Sequence, residues 1–409
     1  MQKFFLAILW VLPLGLLARV GIGGAGILPT DILLPLFALV YLGHTFLFKR
    51  SSLPKVLGLP AFWVFVFLAL VSFWLGAFWL DVKPRLVAFA YVLRLFSFGV
   101  FAWAGADLFG GKNFSKLKTH LFSITAVIVV LGFVQFFVVP DISKYSTEGG
   151  LDPHIGRMLS TWLDPNYLAG FLGFMLPIVL ADFYAQKSKK IKFLWLVLGL
   201  SILLALFLTF SRSGYLAAVA GLFLFFVFKD PKIILLGIFA VLLGLSVNER
   251  AQKRVGELAG TVAAVMFQQT DEIDPTASLR IQNWGKSFDL FKKYPLTGIG
   301  YNTYRYRAAE EGIVDENYFS AGGADSTHLT VLVTMGLFGL LSYLYWVYLL
   351  VFQGVKDFFI KKSKKQILSL GFSAGVLSLF IHASFVNSLF FPLIFVAVCA
   401  FWGALRRQK

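Results

Sequence analysis

Four residues in this sequence combine a useful chemistry with a telling position: Arg212 in TFSRSGY, Arg280 in SLRIQNW, His328 in DSTHLTVLVTMGLFGLL and Arg157 in HIGRMLSTWLDPNYLAG. The first three stand at ends of helical or apolar runs and Arg157 lies in a long loop, on the side where a lipid headgroup would sit. Guanidinium groups bind phosphate oxygens through paired, charge-assisted hydrogen bonds. An imidazole titrating near neutrality takes a proton from a hydroxyl. Several arginines and one histidine on the same face therefore suit a lipid-borne pyrophosphate donor and a hydroxyl acceptor. Each residue also has a plainer reading. Arg212 would serve equally as an interfacial anchor for a span. Arg280 opens a helix, where the macrodipole prefers an anion, so a purely structural role is less natural, though a solvated face accommodates it. A lone histidine is commonly no more than an interfacial side chain, as His44, His120, His154 and His382 illustrate. Arg94 falls mid-span, where a charge is costly and faces a partner or a cavity. No metal site is expected: carboxylates are sparse in the outer segments, and neither D-x-D nor H-E-x-x-H occurs there.

The elements that must hold these residues are set by composition. Of 409 residues, 58% are hydrophobic, 17% aromatic and 14% charged, with a mean hydropathy of +0.78. Soluble domains carry about 25% charged residues, so lipid must be the solvent of this chain. A span needs roughly 20 apolar residues. Runs of that kind centre near 4–20, 30–48, 56–80, 86–106, 119–139, 165–185, 193–210, 214–228, 233–248, 326–352, 367–385 and 387–405. The expected fold is an all-α polytopic bundle of about twelve transmembrane helices. The single cysteine, Cys399, excludes an internal disulfide framework. The first run follows one lysine and has no A-x-A-like cleavage site, so it is expected to be a retained helix.

The net charge of +16 suggests nucleic acid at first sight, but its distribution argues for a membrane. With the N-terminus in the cytoplasm and sides alternating, the clusters Lys49–Lys55, Lys112–Lys118, Lys187–Lys192, Lys229–Lys232, Lys356–Lys365 and Arg406–Lys409 all fall inside, as the positive-inside rule requires. The chain then divides into nine spans over 1–248, an outer, periplasmic segment over 249–325, and three spans over 326–409. Within the outer segment, Asp274 and Pro275 read as an N-cap and first helical residue. Ile281, Trp284, Phe288 and Phe291 follow at helical spacing, giving an amphipathic helix that ends before Pro295.

WLDPNYLAGFLGFMLPI, TFSRSGYLA, Arg280-x-x-x-Trp284 followed by YPLTGIGYNTY, and HLTVLVTMGLFGLL resemble, in order, the conserved segments of the bacterial O-antigen ligase and polymerase superfamily. That resemblance covers roughly 157–341 and implies a GT-C-type membrane glycosyltransferase that uses no metal ion, nucleotide sugar or other cofactor. It implies transfer of a glycan from undecaprenyl pyrophosphate to an acceptor hydroxyl, on the periplasmic face of the bacterial inner membrane. By the same resemblance Arg212 and Arg280 hold the pyrophosphate, Arg157 is a less diagnostic basic position, and His328 is the catalytic histidine of an inverting displacement. Leu329 departs from the Asn or Ser often found after that histidine. O-antigen ligation to a lipid A–core acceptor is the leading expectation. Polysaccharide polymerisation and protein O-glycosylation share the same motifs. A lipid or glycan transporter is the alternative of a different class, but transporters often carry paired midplane ionisable residues in two related halves, and here the polar residues gather on one face.

Overall fold

Proline, glycine and short polar caps decide where the helices of this bundle begin and break. The computed structural model describes residues 1–22, 25–49, 54–143, 154–235, 275–313, 323–360 and 364–407, with a few positions between 237 and 256. Among them, α1 (Gln2–Trp10) passes into a 3-10 segment, Leu12–Ala18, and a two-stranded antiparallel hairpin pairs Val20–Ile22 with Ala25–Ile27. Then come α2 (Pro29–His44), α3 (Leu59–Gly76), α4 (Val82–Phe109), α5 (Phe114–Val138), α6 (Pro165–Ala185), α7 (Lys189–Leu208) and α8 (Arg212–Lys229). The chain continues through α9 (Pro275–Lys293), α10 (Tyr304–Glu310), α11 (Thr327–Ile360), α12 (Lys364–His382) and α13 (Pro392–Arg406).

Eight of these helices are long and apolar enough to cross a membrane, and α12 and α13 contribute two shorter apolar helices. The protein is an all-α, multi-pass membrane bundle. The expected span at 165–185 coincides with α6. The expected first span instead breaks, because Pro13 removes a backbone donor and Gly15 turns at φ 60°. There the 160–162 turn docks, with Trp162 Nε1 donating to Leu12 O (3.0 Å) and Thr161 Oγ1 to Pro13 O (2.6 Å). The expected span at 233–248 lies largely outside the described residues.

The innermost layer is α6, α12 and α13. α12 packs on α6, α8 and α11, and α13 packs on α4. α7 presents Leu194, Leu196, Val197, Leu200 and Leu204 outward, an apolar face that only lipid can cover. Arg94, mid-span in α4, finds Asp31 at 2.8 Å and the Tyr91 ring at 3.9 Å.

α11 is the most irregular helix. Its apolar run reads as one continuous span, but Gly336 adopts φ 68°, ψ −168°, a conformation open only to glycine. A straight helix would separate residues fifteen apart by about 22 Å. Here Tyr343 Oη lies 3.0 Å from His328 Nδ1, so the segment before Gly336 doubles back along the segment after it. The loop 294–303, YPLTGIGYNT, enters this break. Ile299 N and Gly300 N donate to Val333 O and Thr334 O (both 3.0 Å), and Leu337 N donates to Pro295 O (2.8 Å). Ser72 Oγ adds a bond to Thr334 O (2.6 Å). Backbone groups released by the break are thus paired inside the protein, as a hydrocarbon environment demands.

Candidate active site

The N-termini of α6 and α8 lie side by side and form one half of the site. Asp164 caps α6 by accepting from Asn166 N (2.6 Å) and Tyr167 N (3.0 Å), and burial raises its carboxyl pKa above the ordinary value. Ser211 caps α8 through Gly214 N (3.2 Å) and donates to Asn166 Oδ1 (2.8 Å). Arg212 is therefore the first residue of a helix whose start is fastened to the start of its neighbour. Two helix N-termini bring their partial positive charge to this region, and at α6 the first N–H groups are already taken by the Asp164 carboxylate. Arg157 belongs to the same region but holds the turn between α7 and α8: its Nε donates to Thr209 O (2.8 Å) and its Nη2 to Phe210 O (3.3 Å). Part of its donor fork is occupied by the fold.

α9 and the front of α11 form the other half. α9 is described from Pro275, the expected cap Asp274 lying outside the described residues, and the sequence pattern put Ile281, Trp284, Phe288 and Phe291 on its apolar face. The packed face is rotated from that one. It carries Arg280, Asn283, Trp284, Ser287 and Leu290, while Phe288 is exposed. The reason is polar: Asn283 reaches Asp325 (3.1 Å) and Tyr304 (3.0 Å), and Ser287 meets the Tyr304 hydroxyl (2.5 Å). Burial pushes the Tyr304 phenol up to about 12.

His328 is half-buried between two partners. Nε2 lies 3.0 Å from Phe380 O and Nδ1 lies 3.0 Å from Tyr343 Oη. A carbonyl only accepts, so Nε2 carries the proton and Nδ1 is the basic nitrogen, receiving the Tyr343 hydroxyl. The orientation of the ring is therefore set by the fold.

The turn between α12 and α13 links the two halves. Ala383 O accepts from Thr327 N (2.8 Å) beside His328. The Phe385 ring lies 6.3 Å from Trp284, one turn after Arg280. Phe391 stacks on Tyr167 at 4.0 Å. All four residues singled out by sequence, Arg157, Arg212, Arg280 and His328, thus come to one end of the bundle around one turn. Sequence reasoning missed Tyr343 and the turn itself; a glycine inside the apolar run TMGLFGLL was the one available hint of the first.

Fold and site together define a multi-pass membrane protein with a cationic, histidine-bearing centre at one end of its helices. Residues 195–344 match the family model described as O-antigen ligase, a stretch containing Arg212, Arg280 and His328. The match supports the O-antigen ligase superfamily and indicates a glycosyl-transferring membrane enzyme. Among curated proteins nothing matches the chain.

Proposed function

We propose that this protein transfers a glycan from undecaprenyl pyrophosphate to an acceptor hydroxyl, on the periplasmic side of the inner membrane, with O-antigen ligation to lipid A–core as the specific reaction. The observation that carries this reading is the convergence of Arg212, Arg280 and His328 on the α12–α13 turn, inside the stretch that matches the O-antigen ligase family. Pyrophosphate leaves readily once its developing charge is neutralised. Arg212, set on the paired helix starts, and Arg280 supply that charge, with Arg157 supporting the turn beneath Arg212.

His328 takes the acceptor proton at Nδ1, the nitrogen left basic by the bond from Nε2–H to Phe380 O. The incoming hydroxyl replaces the Tyr343 hydroxyl at that nitrogen, attacks the anomeric carbon, and expels the pyrophosphate with inversion. The reaction needs no metal ion. Holding both lipid-borne substrates in one cleft supplies the proximity contribution.

The test is reconstitution: purified protein in liposomes, an undecaprenyl-pyrophosphate glycan, and lipid A–core, a second lipid-linked glycan or a protein as acceptor, with and without EDTA. Sugar on lipid A–core despite EDTA supports the reading. Transfer only to a second lipid-linked glycan reassigns the protein as a polymerase, and a loss of activity that magnesium restores overturns metal independence.

A further inference from the structure

A second histidine stands in the site and takes no part in the mechanism above. His382 ends α12 and is fully buried. Its Nδ1 lies 2.8 Å from Ser388 Oγ on the α12–α13 turn. Its Nε2 is buried and has no hydrogen-bond partner among the described residues. One turn earlier on the same helix face, Ser378 Oγ is also buried and unpartnered. Buried polar groups are nearly always paired, so an open one calls for an explanation, a bound water or ion among them. The contrast with His328, both of whose nitrogens are engaged, is direct.

The surroundings say what kind of guest fits. Arg280 on α9 stands close enough for its charge to act on the imidazole, and the neighbouring Trp284 packs on Phe385 of the same turn. From α6 the ring meets Gly170, where a Cβ would lie 3.0 Å from Nδ1, so a larger residue would crowd the imidazole seat. Among the described residues, Ser388 from the turn and Gly170 from α6 meet the ring, and the charge that acts on it is the positive one of Arg280. A cation beside an imidazole with an open nitrogen disfavours protonation of the ring. An anion beside the ring reverses that balance and gives Nε2 an acceptor.

We infer that His382 is a further binding residue for the phosphoryl group of the donor, its Nε2–H donating to an oxygen that Arg280 also holds. This rests on the anion-binding role given to Arg280 above. The nitrogen is closed off from bulk water, so the phosphoryl oxygen reaches it by taking a place beside the Arg280 head. Binding then brings a proton to the imidazole, and affinity rises as pH falls through the histidine range.

Binding of inorganic pyrophosphate to the purified full-length protein, followed by calorimetry at pH 6 and pH 8, tests this without any transfer reaction. For the wild type we expect binding tighter at pH 6 than at pH 8 by about tenfold more than in His382→Gln, which cannot protonate. The variant comparison cancels the titration of pyrophosphate itself, and His382→Asn serves if the glutamine variant does not fold. Equal pH dependence in wild type and variant overturns the inference alone, as does affinity in the wild type that does not change with pH. Failure of the wild type to bind pyrophosphate at either pH overturns the anion-binding reading as well.

Discussion

Both ends of this bundle keep cations out of water, but they do it in opposite ways. At the end carrying the α13 C-terminus, Arg406 is almost fully buried and donates to Asp357 (3.0 Å), Ser369, Ser373 (2.9 Å) and Leu350 O (3.2 Å). Nearby, Lys118 meets Asp182 at 2.7 Å, and Gln186 donates to the same carboxylate. At the end carrying His328, two described carboxylates hold the backbone and a neighbouring helix: Asp164 caps a helix and Asp325 accepts from Asn283. Arginine appears in both places. Where acceptors are built around it, a guanidinium is a rivet; at the end carrying His328, the proposed role of Arg212 and Arg280 is to receive a mobile anion. A removed partner should therefore unfold one end and inactivate the other.

The largest effect is expected at His328. Replacing it with alanine should lower turnover by about 10²–10⁴-fold, the usual loss on removing a general base, with donor affinity nearly intact. Single-turnover transfer beside donor binding measures both, and near wild-type transfer would remove the histidine from the mechanism. Tyr343→Phe sharpens the point, because it frees Nδ1 without touching the ring. It should stay within about tenfold of wild type; a loss as deep as that of His328→Ala would make the Tyr343 hydroxyl part of the proton transfer.

At the opposite end, Asp357→Asn leaves the Arg406 charge buried and uncompensated. The expected cost is about 3–5 kcal/mol of stability, read as an earlier thermal transition in detergent, with unchanged turnover per folded molecule. A drop in turnover at full stability would break the contrast between the two ends. Arg280→Lys and Arg212→Lys keep the charge but lose the planar fork. Each should weaken donor binding and turnover together by about tenfold while the thermal transition holds. A shifted transition with unchanged donor affinity would make these arginines rivets too.

The smallest effect concerns His154, in the loop before α6. Burial, helped by the charge of Arg157, lowers its pKa to about 4. A histidine depressed in the folded state binds its proton more readily when unfolded. Stability should therefore decline as pH falls from about 6.5 toward 4, and His154→Gln should flatten that slope in thermal unfolding. Identical slopes would place the pH dependence elsewhere.

Much of the architecture could be read from hydropathy because lipid imposes length: α6 falls where an apolar run and a cap put it, and the 275–293 stretch is helical as its spacing requires, with the expected cap Asp274 outside the described residues. The four candidate residues were likewise noticeable, three because charge at the end of a helical or apolar run is rare, and Arg157 because it lies in one of the few long loops. What stayed hidden depends on contacts remote in sequence. The fold-back of α11 needs the 294–303 loop to pair its broken backbone, and nothing in TMGLFGLL announces that loop. The inward face of α9 is polar because Tyr304 and Asp325 wait for it, so a search for apolar periodicity selected the neighbouring face. His382 looked like any interfacial histidine until the turn, α6 and α9 were assembled around it.

The break in α11 has a consequence for how this protein can vary. A side chain at Gly336 would collide with the backbone of Leu296 and Thr297, and one at Gly298 with the backbone of Thr334 and Met335. The two glycines are halves of a single clasp, and His328 hangs from one side of it. Sequence drift in the loop is thereby yoked to the reaction centre: a methyl group at position 298, in a segment that touches no substrate in the mechanism above, would reset the angle at which the imidazole is presented. Relatives that keep the chemistry are expected to keep both glycines or to change them together.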